Sequence, residues 1–521
     1  MAWIVLKDDK GKTLLVSDRK TDGLIPKGSF LTVEQEDEKF ILRVDESYQL
    51  SLYEPDPLVV DMDLSSLEED RKTKNILYAY RIYDFTDRDD DLISTIKPQS
   101  KARRSNQEEI NVALGSYEKG PKVFVATAQY SKNQLLRDQN RRLITASLPN
   151  DMFFHQVLIC GKTGSGKTVA AKYLMQYFAE ELGGSVLAIN VKDVDLLRMD
   201  QPSLTANKKI KEEWRELGKK AKGISNYVVY YPANSKMNSS SGVNLERCYK
   251  VTLDVKEINP ESLNGLLLHI TDMAAMSLPN IFRKWQEDIK KSKDEGVYRF
   301  SNFVKYFNEI KENGCEFPTL NATGQESFIR LHRGTAENIS RNLDVANEFF
   351  DNEFADTLNE DDILVEGKVS VIDVASENGI QFGSILLRNL LHKIVASKRN
   401  NEHKEPILIV IDEVHMFYNV DASREALGDL DTICRTGRSQ EIGVIFSSQN
   451  PRDIPKGLTS VINTKIFFRS DVEGMKMTGG ALSLQEMESL GKGFAVAYIH
   501  DLPQLRVIKF PLAYSGVFEE K

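Results

Sequence analysis

The sequence predicts an α/β fold: a mostly parallel sheet, a small β domain ahead of it and a helical bundle inserted within it. Three observations lead there. From Met152 onward, apolar strands such as SVLAIN, KVSVIDVA, PILIVID and IGVIFSS alternate with helix-length amphipathic segments, the pattern of βαβ units covered on both faces. Between Val251 and Glu366 the apolar spacing turns helical, in NGLLLHITDMAAM, NIFRKWQEDIKKSK, FSNFVKYFNEI and ENISRNLDVANEFF. In the first 60 residues short apolar runs (AWIVLKD, TLLVSD, SFLTVEQ, FILRVDE) are separated by turns rich in Gly and Asp, as in a small antiparallel sheet or barrel.

With 521 residues the chain exceeds one ordinary core. The expected divisions are a β-barrel over 1–60, with 130 as its wider limit, and a connecting region over 61–150 that adds the strand KVFVATAQ. The α/β core then takes 151–244 and 366–500, the helical bundle 245–365, and a C-terminal strand or extension 501–521. A formal net charge of −9 argues against a uniformly basic surface but leaves room for a local basic channel. The four cysteines lie far apart with no C-x-x-C pair, so they indicate neither a cysteine zinc site nor a disulfide framework. The start MAWIVLKDDKGK carries too short an apolar run for a signal peptide, and no window approaches the ~18 apolar residues of a membrane helix. A soluble cytoplasmic protein with no membrane contact is the expectation.

The stretch GKTGSGKT at 161–168 fits G-x-x-x-x-G-K-[ST] and lies between the apolar strand FFHQVLIC and a helix. Gly161, Gly164 and Gly166 let the loop wrap closely enough for backbone N–H groups to face phosphate oxygens, and the helix N-terminus adds its positive end. Lys162, Thr163, Ser165 and Val169 complete the candidate nucleotide-binding set. Lys167 is placed to reach the β and γ phosphates of ATP, and Thr168 to ligate Mg²⁺. In PILIVIDEVH, the strand Ile407 to Ile411 presents Asp412 and Glu413 at its end. Asp412 suits a metal-holding carboxylate and Glu413 a general base for water, whereas the bland alternative has both as strand-end caps. His415 reads more simply as a loop histidine.

The strand IGVIFSS is expected next in the sheet, so Gln449 at its end would meet the γ phosphate or the attacking water. Arg435 and Arg438 precede that strand and sit at its opposite end, out of reach of their own subunit's phosphates. They either serve a neighbouring subunit in trans or bind local carboxylates such as Glu441. The Lys-rich run 208–223 and KARRS at 101–105 could face DNA phosphates or be solvated faces.

Taken in order, GKTGSGKT, VIDEVH, CRTGRSQEIGVIFSSQNPRDIP and SVINTKIFFRSD resemble the HerA branch of the HerA/FtsK superfamily of ring-shaped DNA-translocating ATPases. The order of parts is similar too: an N-terminal β-barrel, a RecA-like P-loop NTPase core interrupted by a helical bundle, and a closing strand pair in GKGFAVAYIHDLPQLRVIKF. The resemblance implies a homohexamer that uses ATP and Mg²⁺ to move double-stranded DNA, beside a NurA-type nuclease or a defence effector such as another nuclease or an NADase. By position it carries the family's nucleotide site onto Lys167, Thr168, Asp412, Glu413 and Gln449, and its trans-acting arginine onto Arg438. One departure is NVKDVDLL after the second core strand, where the family often has an Asp-rich turn and Gly-Glu-Tyr; Asp193 and Asp195 are therefore assigned loosely. Two other functions share these motifs, an ATP-regulated scaffold ring for an effector and a conjugative secretion ATPase. An ABC-type ATPase is set aside because LSLQE at 482–486 follows the acidic strand instead of preceding it.

Overall fold

The structure, a computed structural model, describes residues 3–9, 11–18, 24–36, 38–51, 73–85, 94–116, 119–129, 132–138, 140–192, 194–237, 242–266, 272–292, 298–376, 378–418, 427–470, 482–502 and 504–519. The chain forms two compact units. The first holds residues 1–152, 164–166 and 466–511; the second holds 153–163, 167–465 and 512–521.

In the first unit, six strands form a closed antiparallel barrel: β1 (Trp3–Asp9), β2 (Lys12–Asp18), β3 (Phe30–Gln35), β4 (Glu38–Ser51), β5 (Thr73–Asp84) and β6 (Lys101–Arg104). The order around it is β1-β2-β5-β4-β3-β6, and β6 returns to β1. Alternate residues point inward, as a period of two requires, so Val5, Leu31, Val33, Phe40, Leu42, Val44, Leu77 and Ala79 fill the interior. The long β4–β5 ladder shifts register at Ile41/Leu42 and at Val44/Glu46, and such bulges bend strands enough to close a small barrel.

Beside the barrel, helix Gln107–Leu114 opens on a capping box in which Asn106 Oδ1 accepts from the Glu109 N–H at 2.9 Å and Glu109 Oε2 accepts from the Asn106 N–H at 2.9 Å. Glu109 is buried and also receives Arg103 at 2.7 Å, Lys39 at 2.5 Å and the Thr32 hydroxyl at 2.8 Å. The chain continues through β7 (Lys122–Gln129), β8 (Lys132–Leu135) and β9 (Thr145–Ser147), and β7 pairs with both.

The second unit is built on β10 (Val157–Cys160), β11 (Ser185–Asn190), β12 (Tyr227–Pro232), β13 (Cys248–Thr252), β16 (Asp356–Thr357), β17 (Val369–Asp373), β18 (Ile407–Asp412) and β19 (Ile442–Ser448). The separate hairpin β14 (Glu316–Leu320) and β15 (Glu326–Arg330) lies in the insertion. The sheet order is β16-β13-β12-β17-β11-β18-β19-β10, parallel at every pairing. Every residue of β10, β11 and β19 is buried, the signature of parallel strands covered on both faces. Helix Lys167–Glu180 carries the chain from β10 to β11, and helix Gly379–Arg399 carries it from β17 to β18. From Ile466, within β20 (Thr464–Phe467), to Pro511 the chain belongs to the first unit, where β21 (Phe494–Tyr498) pairs with β22 (Val507–Lys509) and β22 pairs with β7.

Several expectations change. The barrel runs past residue 60 to Arg104, within the wider limit of 130, because four strands would leave two open edges; β5 and β6, in a stretch expected as a connection, are what close it. The segment 245–365 is not wholly helical: besides helix Asp272–Ser292, helices Phe300–Glu312 and Arg333–Ala346 are joined by the β14–β15 hairpin, while β13 and the edge strand β16 belong to the core sheet. Strand YVVYYP was not foreseen, and the core assigned to 366–500 gives up its last part to the first unit. Within KARRS, Arg103 is committed to Glu109 and Glu34, which removes it as a free phosphate ligand. In 208–223 only 208–216 is helical; Lys219 and Lys222 pair with Glu181 and Glu180, while Lys208, Lys209 and Lys211 are exposed.

Burial alone pushes the Glu109 carboxyl up, but Arg103, Lys39, the Asn106 N–H and Thr32 outweigh it and hold the group at about 2 against an ordinary 4.5. A depressed carboxylate contributes stability that is present above its ordinary value and lost as pH falls toward the depressed one. Glu109→Gln should therefore melt below the wild type at neutral pH, and the gap should narrow between about pH 4.5 and about pH 2. Melting followed by circular dichroism across that window checks it, and a gap that stays constant contradicts the assignment.

Candidate nucleotide site

Register brings the site together. Cys160 of β10 lies opposite Ser448 of β19, Ser447 lies opposite Asp412 of β18, and Ile189 of β11 lies opposite Ile411. The residues just past these positions therefore emerge at one edge of the sheet, the carboxyl end where open α/β sheets bind ligands. β19 separates β10 from β18, so the acidic strand is one strand removed from the phosphate loop, and Gln449 emerges between them. Gly443 permits this close packing: a Cβ there would sit 2.4 Å from the Phe153 carbonyl oxygen.

The loop 161–166 leads directly into helix Lys167–Glu180. Gly166 has φ +115°, and a Cβ on it would lie 2.9 Å from the Gly493 nitrogen, so both conformation and space require glycine. Lys167 Nζ folds back onto the loop and donates to the Gly161 carbonyl at 2.7 Å and to the Lys162 carbonyl at 3.4 Å. Among the described residues it makes no ion pair; burial lowers its pKa, opposed by the charges of Asp412 and Glu413. Lys162 and Thr163 are exposed, whereas the Ser165 hydroxyl is buried without a hydrogen-bond partner among the described residues.

Glu413 is the hub of a hydrogen-bonded chain. Thr163 Oγ1 donates to Gln449 Oε1 at 3.3 Å, Gln449 Nε2 donates to Glu413 Oε1 at 2.9 Å, and Lys192 Nζ donates to the same oxygen. The backbone of Glu413 is left-handed, φ 49° and ψ 57°, a strained state for a non-glycine residue. Its N–H donates to the Ser447 carbonyl at 2.7 Å and to Asp412 Oδ1 at 3.1 Å, which pins the turn. Burial pushes the Glu413 carboxyl up, but Lys192 and Gln449 prevail and hold it below the ordinary range. Asp412 goes the other way: burial and the neighbouring Glu413 raise it against the Ser447 hydrogen bond.

A buried ammonium without a carboxylate partner, an orphaned Ser165 hydroxyl and a carboxylate whose charge is disfavoured by burial fit a polyphosphate with a divalent cation. Lys167 and the loop would hold the phosphates, and Thr168 and Asp412 the metal.

Of the two arginines, Arg435 is bound by Asp431 at 2.8 Å, a partner one helical turn earlier, in place of the Glu441 considered from sequence. Arg438 is exposed, and its guanidinium makes no ion pair or hydrogen bond among the described residues; its backbone carbonyl accepts from the Glu441 N–H at 3.2 Å. It precedes β19, and the seven-residue strand sets it about 20 Å from the Gln449 edge. Asp193 lies outside the described residues, and Asp195 is exposed and takes no part in the Glu413 chain. Lys192 is the residue that sequence reasoning missed. The available signal was its place just past an all-apolar strand next to the acidic strand, within the departing segment NVKDVDLL.

A phosphate loop between strand and helix, an acidic strand and a polar-tipped strand between the two define a P-loop NTPase with a RecA-like core. The family model described as "Helicase HerA, central domain" matches residues 135–398, and "Helicase HerA-like C-terminal" matches 369–468. The chain belongs to the HerA helicase family. Among curated relatives it is 25% identical over 283 residues to the DNA double-strand break repair helicase HerA of Sulfurisphaera tokodaii, covering 50% of this chain and 56% of that protein. It is 23% identical over 296 residues to the protein of that name from Sulfolobus acidocaldarius, covering 51% and 58%. The match thus spans just over half the length of these relatives. Among solved structures, the plasmid coupling protein TrwB with the GTP analogue GDPNP has a TM-score of 0.48 at 12% identity, covering 80% of this chain and 95% of that one. VirB4 of Thermoanaerobacter pseudethanolicus has a TM-score of 0.44 at 14% identity, covering 76% and 97%.

Gly443→Ala forces β19 away from Phe153, and overpacking of this kind costs about 1–3 kcal/mol. The urea midpoint of the variant should fall below that of the wild type; an unchanged midpoint would mean the strand yields freely.

Proposed function

We propose that this chain is an ATPase that works as a homohexameric ring in the cytoplasm and moves double-stranded DNA. The observation that carries the reading is Glu413, held by Gln449 and Lys192 at the carboxyl edge of the sheet beside the loop that ends in Lys167. Glu413 acts as the base for water, Gln449 reports on the phosphate through Thr163 and Glu413, and Lys167 binds the β and γ phosphates. Mg²⁺, held by Thr168 and Asp412, would neutralise phosphate charge. The names of the curated relatives, DNA double-strand break repair helicases, support DNA as the track. A NurA-type nuclease or a defence effector is the proposed partner.

Arg438 is proposed to serve the neighbouring subunit. Its distance from its own subunit's site and its free guanidinium favour a role in trans, and Arg435 is the weaker candidate because Asp431 already engages it. No helix among the described residues is long and apolar enough to cross a membrane.

Hydrolysis measured with and without double-stranded DNA, alongside the mass of the assembly, tests this reading. Glu413→Gln should still bind nucleotide yet lose at least ~10²-fold in turnover, the usual worth of a general base. Arg438→Ala should lose ~10³-fold or more, and mixing it with Glu413→Gln should restore part of the rate, because mixed rings contain sites with an intact base and an intact neighbouring arginine. Turnover by a monomer, or an active Arg438→Ala, sinks the trans assignment; turnover that ignores DNA points to the scaffold ring instead.

A further inference from the structure

The far side of Glu413 carries a second arrangement. Its Oε1 is taken up by Lys192 and Gln449, but its Oε2 is buried and has no hydrogen-bond partner among the described residues, in a side chain only 3% exposed. A buried, unpaired carboxylate oxygen is costly, and one in a native fold calls for an explanation. Two groups face it. His415 Nδ1 lies 3.9 Å from Glu413 Oε2 and 3.8 Å from Asp453 Oδ2, and one donor atom from each of the three residues lies within 4.8 Å of the others. They come from separate segments: Glu413 and His415 from the turn after β18, and Asp453 from the turn after β19.

We propose that Glu413, His415 and Asp453 form a binding site for one borderline divalent cation of the Zn²⁺ class, distinct from the Thr168–Asp412 position. One imidazole nitrogen and two carboxylate oxygens match such an ion, whereas Mg²⁺ prefers an all-oxygen shell with several waters. At the usual ~2.0–2.1 Å metal bonds, tetrahedral ligands stand about 3.3–3.4 Å apart, so the 3.8–3.9 Å separations from His415 must contract by roughly half an ångström and the carboxylate–carboxylate separation, within 4.8 Å, must close to the same spacing.

Two of the ligands are already oriented by other contacts, as ligands in metal sites commonly are. Glu413 is steadied through its other oxygen; Asp453 Oδ2 accepts from the Ser448 hydroxyl and from the Asn450 N–H at 3.2 Å, so the metal takes up one of these lone pairs or turns the carboxylate to Oδ1. Lys192 opposes a cation, but it is engaged at Oε1, on the other side of the Glu413 carboxylate. His415 and Asp453 are partly exposed, with side chains 41% and 27% accessible, which leaves the ion an entry path.

The consequence rests on the proposed role of Glu413: with Oε2 bound to a metal, the carboxylate can no longer accept a proton from water, so occupancy switches hydrolysis off. Equilibrium dialysis of the full chain against Zn²⁺ in excess Mg²⁺ tests the site without reference to turnover. The wild type should retain one Zn²⁺ more per chain than His415→Ala, and His415→Gln should behave like His415→Ala. His415 is accessible enough for both variants to fold, and circular dichroism verifies that they do. Equal retention by wild type and folded variants overturns the site.

Hydrolysis titrated with Zn²⁺ is the separate arm. Inhibition that follows occupancy in the wild type, and is at least ~10-fold weaker in His415→Ala relative to its own zinc-free rate, supports the switch. Histidine-dependent binding without inhibition leaves the metal site standing and overturns the assignment of Glu413 as base.

Discussion

The hydrogen-bond register of β10, β19 and β18 is the constraint on which the site depends. In a parallel sheet each strand ends where its neighbours' ladders let it end, so pairing Cys160 with Ser448 and Ser447 with Asp412 fixes the height at which the phosphate loop, Gln449 and Glu413 emerge. A slip of one residue would turn every buried side chain of β19 to the opposite face, and an all-buried strand has no freedom to slip. The position of Gln449 thus follows from core packing as much as from its own chemistry.

The same constraint accounts for the strain at Glu413. A left-handed residue at the strand end turns the carboxylate back across the edge, and the Ser447 and Asp412 acceptors hold that turn from the backbone side. The two adjacent carboxylates then separate in character. Asp412 is raised by burial and by its neighbour, while Glu413 is lowered by Lys192 and Gln449 once its own burial cost is overcome. Divergence of this kind suits a metal-holding group beside a base.

The first unit solves a different problem. Its barrel needs β5 and β6 for closure, and Glu109 ties β6, β4 and the capped helix through Arg103, Lys39 and Asn106. Here a buried carboxylate surrounded by donors fastens secondary-structure elements to one another, whereas in the second unit a buried carboxylate is left with one oxygen unpaired.

The sequence by itself determined the phosphate loop, the acidic strand and the polar tip of β19, because each is written as an apolar run ending in a short cluster of chemically distinctive residues. It also determined the βαβ alternation, since continuous apolar strands and amphipathic helices differ in period. It did not reveal that β5 and β6 complete the barrel, because closure is a non-local pairing that leaves no mark on either strand alone. Nor did it reveal that Lys192 would meet Glu413: the two are 221 positions apart, and only the β11–β18 pairing brings them together. The tertiary structure decided which arginine side chain is free, since Asp431, one helical turn away, takes Arg435 and no described side chain engages the Arg438 guanidinium. Local pattern is set by residue periodicity, whereas long-range partnership is set by strand order and register.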